Sequence, residues 1–406
     1  MATPDGRTAR HWRHLQAQRR QAESNCSIAQ DTPTILTMWA ERLRHLDALQ
    51  GILPESQQPS SEAPPKESLQ PNIYVLVHGN NSTPADFDKL ARCLYRSHAP
   101  DECVVLQSAG NKGYLTRRGI AVCGTVLAIE VLDFLLRYDV DPTQPRQLSI
   151  VGHSFGGLIA RYSLVLLQHI LSALCITPVS FATLCTPHLG SRRPGGGMWK
   201  RVVQQVVHGV LSIDTLYGQT GRDLLLEGEP YSVLERMSHP DSLFVVALKR
   251  FRHRTLVGLI HGDHLVPHAS SCLTTVVPEV PRVEPAQSWQ WTLVHSGIDK
   301  GDATLGGFAQ VNLVEMEASS TRQFTADCVE FDVHQRAAIN RRLLSVSHLM
   351  TWRRLHVRLD CSKVHWKKAH DWPIGRNQPP DSRSLEFLQV FASMLVRDHL
   401  GPTGIN

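Results

Sequence analysis

The sequence predicts an α/β fold, a mostly parallel sheet with helices on both faces. Three observations carry this. Short apolar runs at 73–77, 103–106, 147–151 and 179–184 have the composition of strands buried on both sides. Helical stretches alternate with them, the pattern of parallel strands joined by crossovers. At 406 residues, with 42% hydrophobic and 19% charged residues, the chain has ordinary globular composition and the length for a large core.

In chain order, residues 1–32 read as a disordered tail. Within its first twenty residues Arg7, Arg10, Arg13, Arg19 and Arg20 stand against Asp5 alone, so nearly all of the net charge of +5 sits at the start. The body therefore gives no reason to expect nucleic acid as a partner. The Arg-rich start also faintly resembles a mitochondrial transit peptide, and no apolar run follows it as a secretory leader requires. Thr32-Pro33 opens a helix with Ile35, Trp39, Leu43, Leu46 and Leu49 on one face and Gly51 just past its end. That stripe suits docking on the main domain, on a partner or on a membrane surface. Pro, Ser, Gln and Glu then make a linker to residue 70, and the main domain spans 71–400.

Strand 73–77 ends at His78-Gly79-Asn80-Asn81, and strand 103–106 follows. Residues 119–138 form a helix through Val122, Val126, Ile129, Leu132 and Leu136. Residues 162–187 lack any Lys, Arg, Asp or Glu, but Gln168, His169 and Pro178 interrupt them. They read as a buried helix followed by strand 179–184, not as a membrane span. Residues 191–237 form a helical cap. Gly195, Gly196 and Gly197 offer a hinge before the stripe Trp199, Val202, Val203, Val206, Val207 and Val210, flanked by Arg192, Arg193, Lys200 and Arg201. This stripe is either a mobile lid for an anionic lipid surface or a cap helix packed on the core. Residues 243–248, 255–260 and 355–359 are strand-like, and 384–395 is a final helix.

Nine scattered cysteines with no C-x-x-C argue against both a disulfide framework and a zinc site, and fit a reduced, intracellular compartment. His261, Asp263, His264 and His268 crowd one turn, a spacing that rarely converges on one ion, so no metal and no cofactor are expected.

Gly152-His153-Ser154-Phe155-Gly156 stands between a strand and a helix. Strand, G-x-S-x-G, helix is the nucleophile elbow of α/β-hydrolase folds, a strained turn that lifts one serine hydroxyl above the sheet. Such a serine needs a histidine to take its proton and a carboxylate to orient that histidine, in the chain order Ser, Asp or Glu, His. Asp263 follows a strand at the sheet's carboxyl end, where this fold places its acid. His370, between the last strand and the last helix, takes the position of the base, with His365 as the alternative among 21 histidines. The oxyanion donors are assigned to the backbone N–H groups of Phe155 and Asn80, and the surrounding His78, Gly79 and His153 to the substrate-binding wall.

Residues 75–79, 152–162 and 184–191, with 220–224, 251–255 and 262–267, resemble the serine-esterase, lipase-like domain family of α/β-hydrolases. The resemblance covers about 71–270 well and 335–400 loosely. It implies a lipase, phospholipase or esterase, in some members associated with lipid droplets or mitochondria. It carries over Ser154, Asp263 and, through Ala369-His370-Asp371, His370. Asn80-Asn81 departs from the usual apolar residue after His-Gly, and the stretch 271–347 is longer than the pattern leads one to expect. The function expected is hydrolysis of carboxylic esters, with lipid esters first. A lipid-binding or scaffold protein on an inert hydrolase fold and an acyltransferase are the alternatives.

Overall fold

The computed structural model describes residues 71–99, 101–137, 146–191, 211, 213–228, 230–274, 276–278, 290–295, 313–315, 321–323, 339, 342–360, 366–379 and 382–400. The chain divides into two compact units, Met1–Leu53 and Pro54–Asn406, and every described residue belongs to the second. The tail, the helix opened by Thr32-Pro33, the linker, the lid stripe 199–210 and His365 lie outside the described residues.

The strands are β1 (Asn72–Val77), β2 (Cys103–Gln107), β3 (Arg146–His153), β4 (Ile176–Leu184), β5 (His253–Leu259), β6 (Val276–Pro278), β7 (Gln290–His295), β8 (Leu313–Glu315), β9 (Thr321–Gln323) and β10 (Arg353–Asp360). Eight of them form one sheet in the order β2-β1-β3-β4-β5-β10-β7-β8, and β6 pairs with β9 separately. The first six are mutually parallel. β7 runs antiparallel to β10, and β8 runs with β7. The long stretch 271–347 thus supplies two reversed strands to one edge of the sheet.

The helices are α1 (Asp88–Arg96), α2 (Ile120–Arg137), α3 (Phe155–Ala173), α4 (Asp214–Leu225), α5 (Val233–Ser238), α6 (Leu243–Lys249), α7 (His268–Ser271), α8 (Trp366–Asp371) and α9 (Ser384–Leu400). Alternation along β1 shows why the strand must be apolar throughout. Tyr74 and Leu76 join the cluster under α1 and α9, while Ile73, Val75 and Val77 are equally buried on the other face. Trp291, Trp372 and Phe387 anchor the first cluster, with ring centroids 5.6 Å (Trp291–Phe387) and 5.2 Å (Trp372–Phe387) apart. α2 and α3 pack on each other. α3 is the one described helix long and apolar enough to cross a membrane, and it is almost wholly buried inside the fold.

One element differs from expectation. Residues 243–248 are not a strand but most of α6. Ser242 caps that helix by accepting the N–H of Val245 at 3.2 Å. Val245 and Leu248 are buried while Leu243 and Val246 are exposed, a helical spacing that a run this short does not reveal in sequence.

Candidate active site

β3 ends at His153 and α3 starts at Phe155, leaving Ser154 alone to make the turn with φ 53° and ψ −129°. Glycine is compulsory beside it. A Cβ at Gly156 would lie 2.2 Å from the Val77 carbonyl oxygen, and one at Gly152 would lie 2.4 Å from Gly157 Cα. The Ser154 N–H donates to the Leu184 carbonyl at 2.8 Å, tying the turn to β4. Ser154 is partly exposed while its neighbours on both sides are buried.

Asp263 stands four residues past β5, after Gly262 at φ 89°. Its Oδ1 accepts the N–H groups of Leu265 and Val266, both at 2.9 Å. Its Oδ2 faces His370 Nδ1 at 2.8 Å, and His370 Nε2 faces Ser154 Oγ at 2.9 Å. The carboxylate holds the ring proton on Nδ1, so Nε2 presents a lone pair to the serine O–H.

Electrostatics agree with that assignment. Burial alone would push the His370 pKa down, but the charge and hydrogen bond of Asp263, with Asp371 adding to them, outweigh it and hold the imidazole above the ordinary histidine value. For Asp263, burial would raise the pKa, yet His370 and the two backbone N–H donors hold the carboxyl below the usual range. His153 lies beneath His370 and donates through Nε2 to the His370 carbonyl at 3.0 Å. Burial first, then His370, pulls its pKa down to about 3, so it stays neutral.

Phe155 is the first residue of α3, where no carbonyl lies one turn behind to accept its N–H. Among the described residues neither that N–H nor the N–H of Asn80 has a protein acceptor. The Asn80-Asn81 pair is anchored by the 3-10 segment Gly113–Arg118. The Thr116 hydroxyl donates to Asn80 Oδ1 at 2.7 Å and accepts the Asn81 N–H at 2.9 Å. Gly79 approaches the nucleophile so closely that a Cβ there would sit 3.0 Å from Ser154 Cβ. His78 and His153, assigned from sequence to the substrate-binding wall, are buried, and each is bonded to a backbone carbonyl.

Sequence reasoning missed three residues here. Cys185, directly after β4, sits with a sulfur within 4.8 Å of ligand-type atoms of Asp263 and His370. Thr116 and Arg376 fix the surrounding loops. Only Cys185 lay in a stretch already singled out, 184–191. A second group, His268, Cys272 and His356, also brings metal-type atoms within 4.8 Å, although the two imidazoles bond each other at 2.7 Å. Of the crowded histidines at 261, 264 and 268, only His268 belongs to it.

Fold and site together define an α/β-hydrolase-type chain with a Ser–His–Asp relay at its nucleophile elbow. A family model described as "Putative serine esterase (DUF676)" matches residues 68–274, just over half of the chain, and the chain belongs to that family. Putative lipase C4A8.10 of Schizosaccharomyces pombe is 28% identical over 277 residues, covering 64% of this chain and 34% of its own length. Putative lipase ROG1 of Saccharomyces cerevisiae is 26% identical over 202 residues, covering 48% of this chain and 27% of its own length. The chain thus spans about a third or less of these relatives. Among solved structures, the Listeria innocua lin2722 product aligns with TM-score 0.32 and 16% identity over 50% of this chain and 77% of that one.

Proposed function

We propose that the chain hydrolyses carboxylic esters through Ser154, with lipid esters as the substrate class. One observation carries the reading: the unbroken relay from Asp263 through His370 to Ser154, at 2.8 and 2.9 Å, set beside two backbone N–H groups without acceptors. As Ser154 Oγ attacks the carbonyl carbon, its proton passes to His370 Nε2, and the imidazolium forms against the Asp263 carboxylate. The N–H groups of Phe155 and Asn80 receive the charge that develops on the carbonyl oxygen. Loss of one such donor costs about 2.7–4 kcal/mol of transition-state stabilisation. Collapse of the tetrahedral intermediate breaks the ester C–O bond, and His370 returns its proton to the departing alcohol. Water, deprotonated by the same imidazole, then frees the acid and restores Ser154.

The lipid preference rests on the family and on the names of its fungal relatives. An intracellular setting and contact with a lipid surface belong to the same proposal and rest on the cysteine usage and the basic-edged stripe at 199–210. A screen of neutral-lipid, phospholipid and short soluble esters, run on the wild type beside Ser154→Ala, tests it. Turnover of at least one lipid class, abolished by the substitution, is expected. Turnover of soluble esters alone would remove the lipid assignment, and activity that survives Ser154→Ala would remove the mechanism.

A further inference from the structure

The loop after β1 and the end of α8 build the proposed site from opposite ends of the chain, and Arg376 lies between them. Its Nη1 donates to Ser82 Oγ at 2.9 Å, across 294 residues, and pairs with Asp86 Oδ2 at 3.3 Å. The Ser82 hydroxyl in turn donates to Asp86. On the other side, Arg376 Nε faces Asp371 Oδ2 at 3.9 Å, and the Arg376 backbone N–H donates to the Asp371 carbonyl at 3.2 Å. Ser82 lies two residues past Asn80, and Asp371 directly follows His370. A second strap runs alongside, where Lys89 Nζ donates to the Gly375 carbonyl at 2.7 Å.

An ion pair whose arginine is 36% exposed contributes little to stability, because water screens it. What a planar, multi-donor guanidinium does well is fix the spacing of the groups it bridges. Catalytic geometry is sensitive to such spacing: a 1 Å misplacement can cost about 10²-fold in rate. We propose that Arg376 is a positioning residue, a strap that holds the Asn80 turn at a set distance from His370 and so keeps oxyanion donors and base aligned on one carbonyl. This rests on the esterase reading given above.

Charge supplies a readout that a merely structural role would not move. The groups facing His370 are Asp263 and Asp371, which favour its protonated form, Arg376, which disfavours it, the neutral His153 beneath it and the Cys185 thiol. Arg376→Gln removes the cation, so His370 should hold its proton to higher pH. Arg376→Lys keeps the charge and loses the fork. Asp86→Asn cuts the strap and leaves the Arg376 charge in place.

The experiment is the rate of Ser154 phosphonylation by a fluorophosphonate in the full chain, followed against pH. In that step the Ser154 Oγ–P bond forms, the P–F bond breaks, fluoride leaves and the serine proton passes to His370. Arg376→Gln should lower the limiting rate about 10- to 100-fold and move the acid limb to higher pH. Arg376→Lys should lower the rate with the limb unmoved, and Asp86→Asn should lower it with no upward shift. Should Arg376→Gln fail to fold, Asp86→Asn and Ser82→Ala carry the rate arm of the test and Arg376→Lys the pH arm. Rates within about twofold of wild type in these variants, or full rescue by lysine, would overturn the strap alone. A wild-type chain that is not labelled at Ser154 at any pH would overturn the esterase reading, and the strap with it.

Discussion

His370 is held between a carboxylate and a hydroxyl, and its proton affinity follows from that placement. In the proposed mechanism the active form is the neutral ring, because only a free Nε2 lone pair can accept the serine proton. Asp263 raises the pKa of His370 above the ordinary 6.5 despite burial, so the acid limb of kcat/KM should have its midpoint above 6.5, with activity rising as pH increases through it. A midpoint at or below 6.5 would mean that the Asp263 pair is not formed in solution. Asp263→Asn removes the main cause of the raised pKa and frees the ring to adopt the wrong tautomer. It should lower kcat by roughly 10⁴-fold while the chain stays folded, measured by steady-state kinetics beside circular dichroism. Cys185 lies against the same constellation and Arg376 bonds the loops that flank it, yet neither residue type announces such a place in a sequence.

At the scale of elements, the elbow depends on strand and helix backbones nearly touching. Gly156→Ala would drive a methyl group into the Val77 and His78 carbonyl oxygens, at 2.2 and 2.4 Å. Overpacking of this kind costs about 1–3 kcal/mol or more. The variant should therefore unfold at lower denaturant and lose Ser154 reactivity together, and an unchanged midpoint would contradict the packing. This element was legible because sterics and periodicity coincide there: an apolar strand, two obligatory glycines and a helix leave one turn that fits. β5 and the loop holding Asp263 were legible for the same reason, an apolar run with a carboxylate just past its end. α6 was not, since an apolar run that short fits either period and its Ser242 cap is only a local hint. β7 and β8 were not, since what makes them strands is pairing that begins on β10, far along the chain.

Across the whole described domain, the C-terminal helix locks the sheet. Asp398 on α9 is fully buried, pairs with Arg353 of β10 at 2.9 Å and accepts the Ser180 hydroxyl of β4 at 2.5 Å. His399 beside it bonds Ser149 of β3 at 2.7 Å. These contacts sit toward the other ends of the strands from Ser154. Asp398→Ala removes the carboxylate that pairs with the buried Arg353 and should destabilise the fold by about 3–5 kcal/mol, read by chemical denaturation. Reactivity of Ser154 per folded molecule should stay near wild type, and a large selective loss would mean the two ends are coupled. Such a lock is invisible in sequence, because sheet order brings Ser149, Ser180, Arg353 and α9 together only after folding, along with Asn72, whose Oδ1 lies 3.0 Å from His399 Nδ1. The site was more legible than the lock, since each of its three side chains follows a strand at the same edge of the sheet, where chain order and strand order both constrain the choice.

The proposed hydrolysis requires Ser154 to be an activated nucleophile. Peptide mapping after exposure of the full chain to a fluorophosphonate at neutral pH tests it most directly. A single adduct on Ser154 is expected, absent in Ser154→Ala and strongly slowed in His370→Ala. An adduct on another serine, or equal labelling without the imidazole, would contradict it.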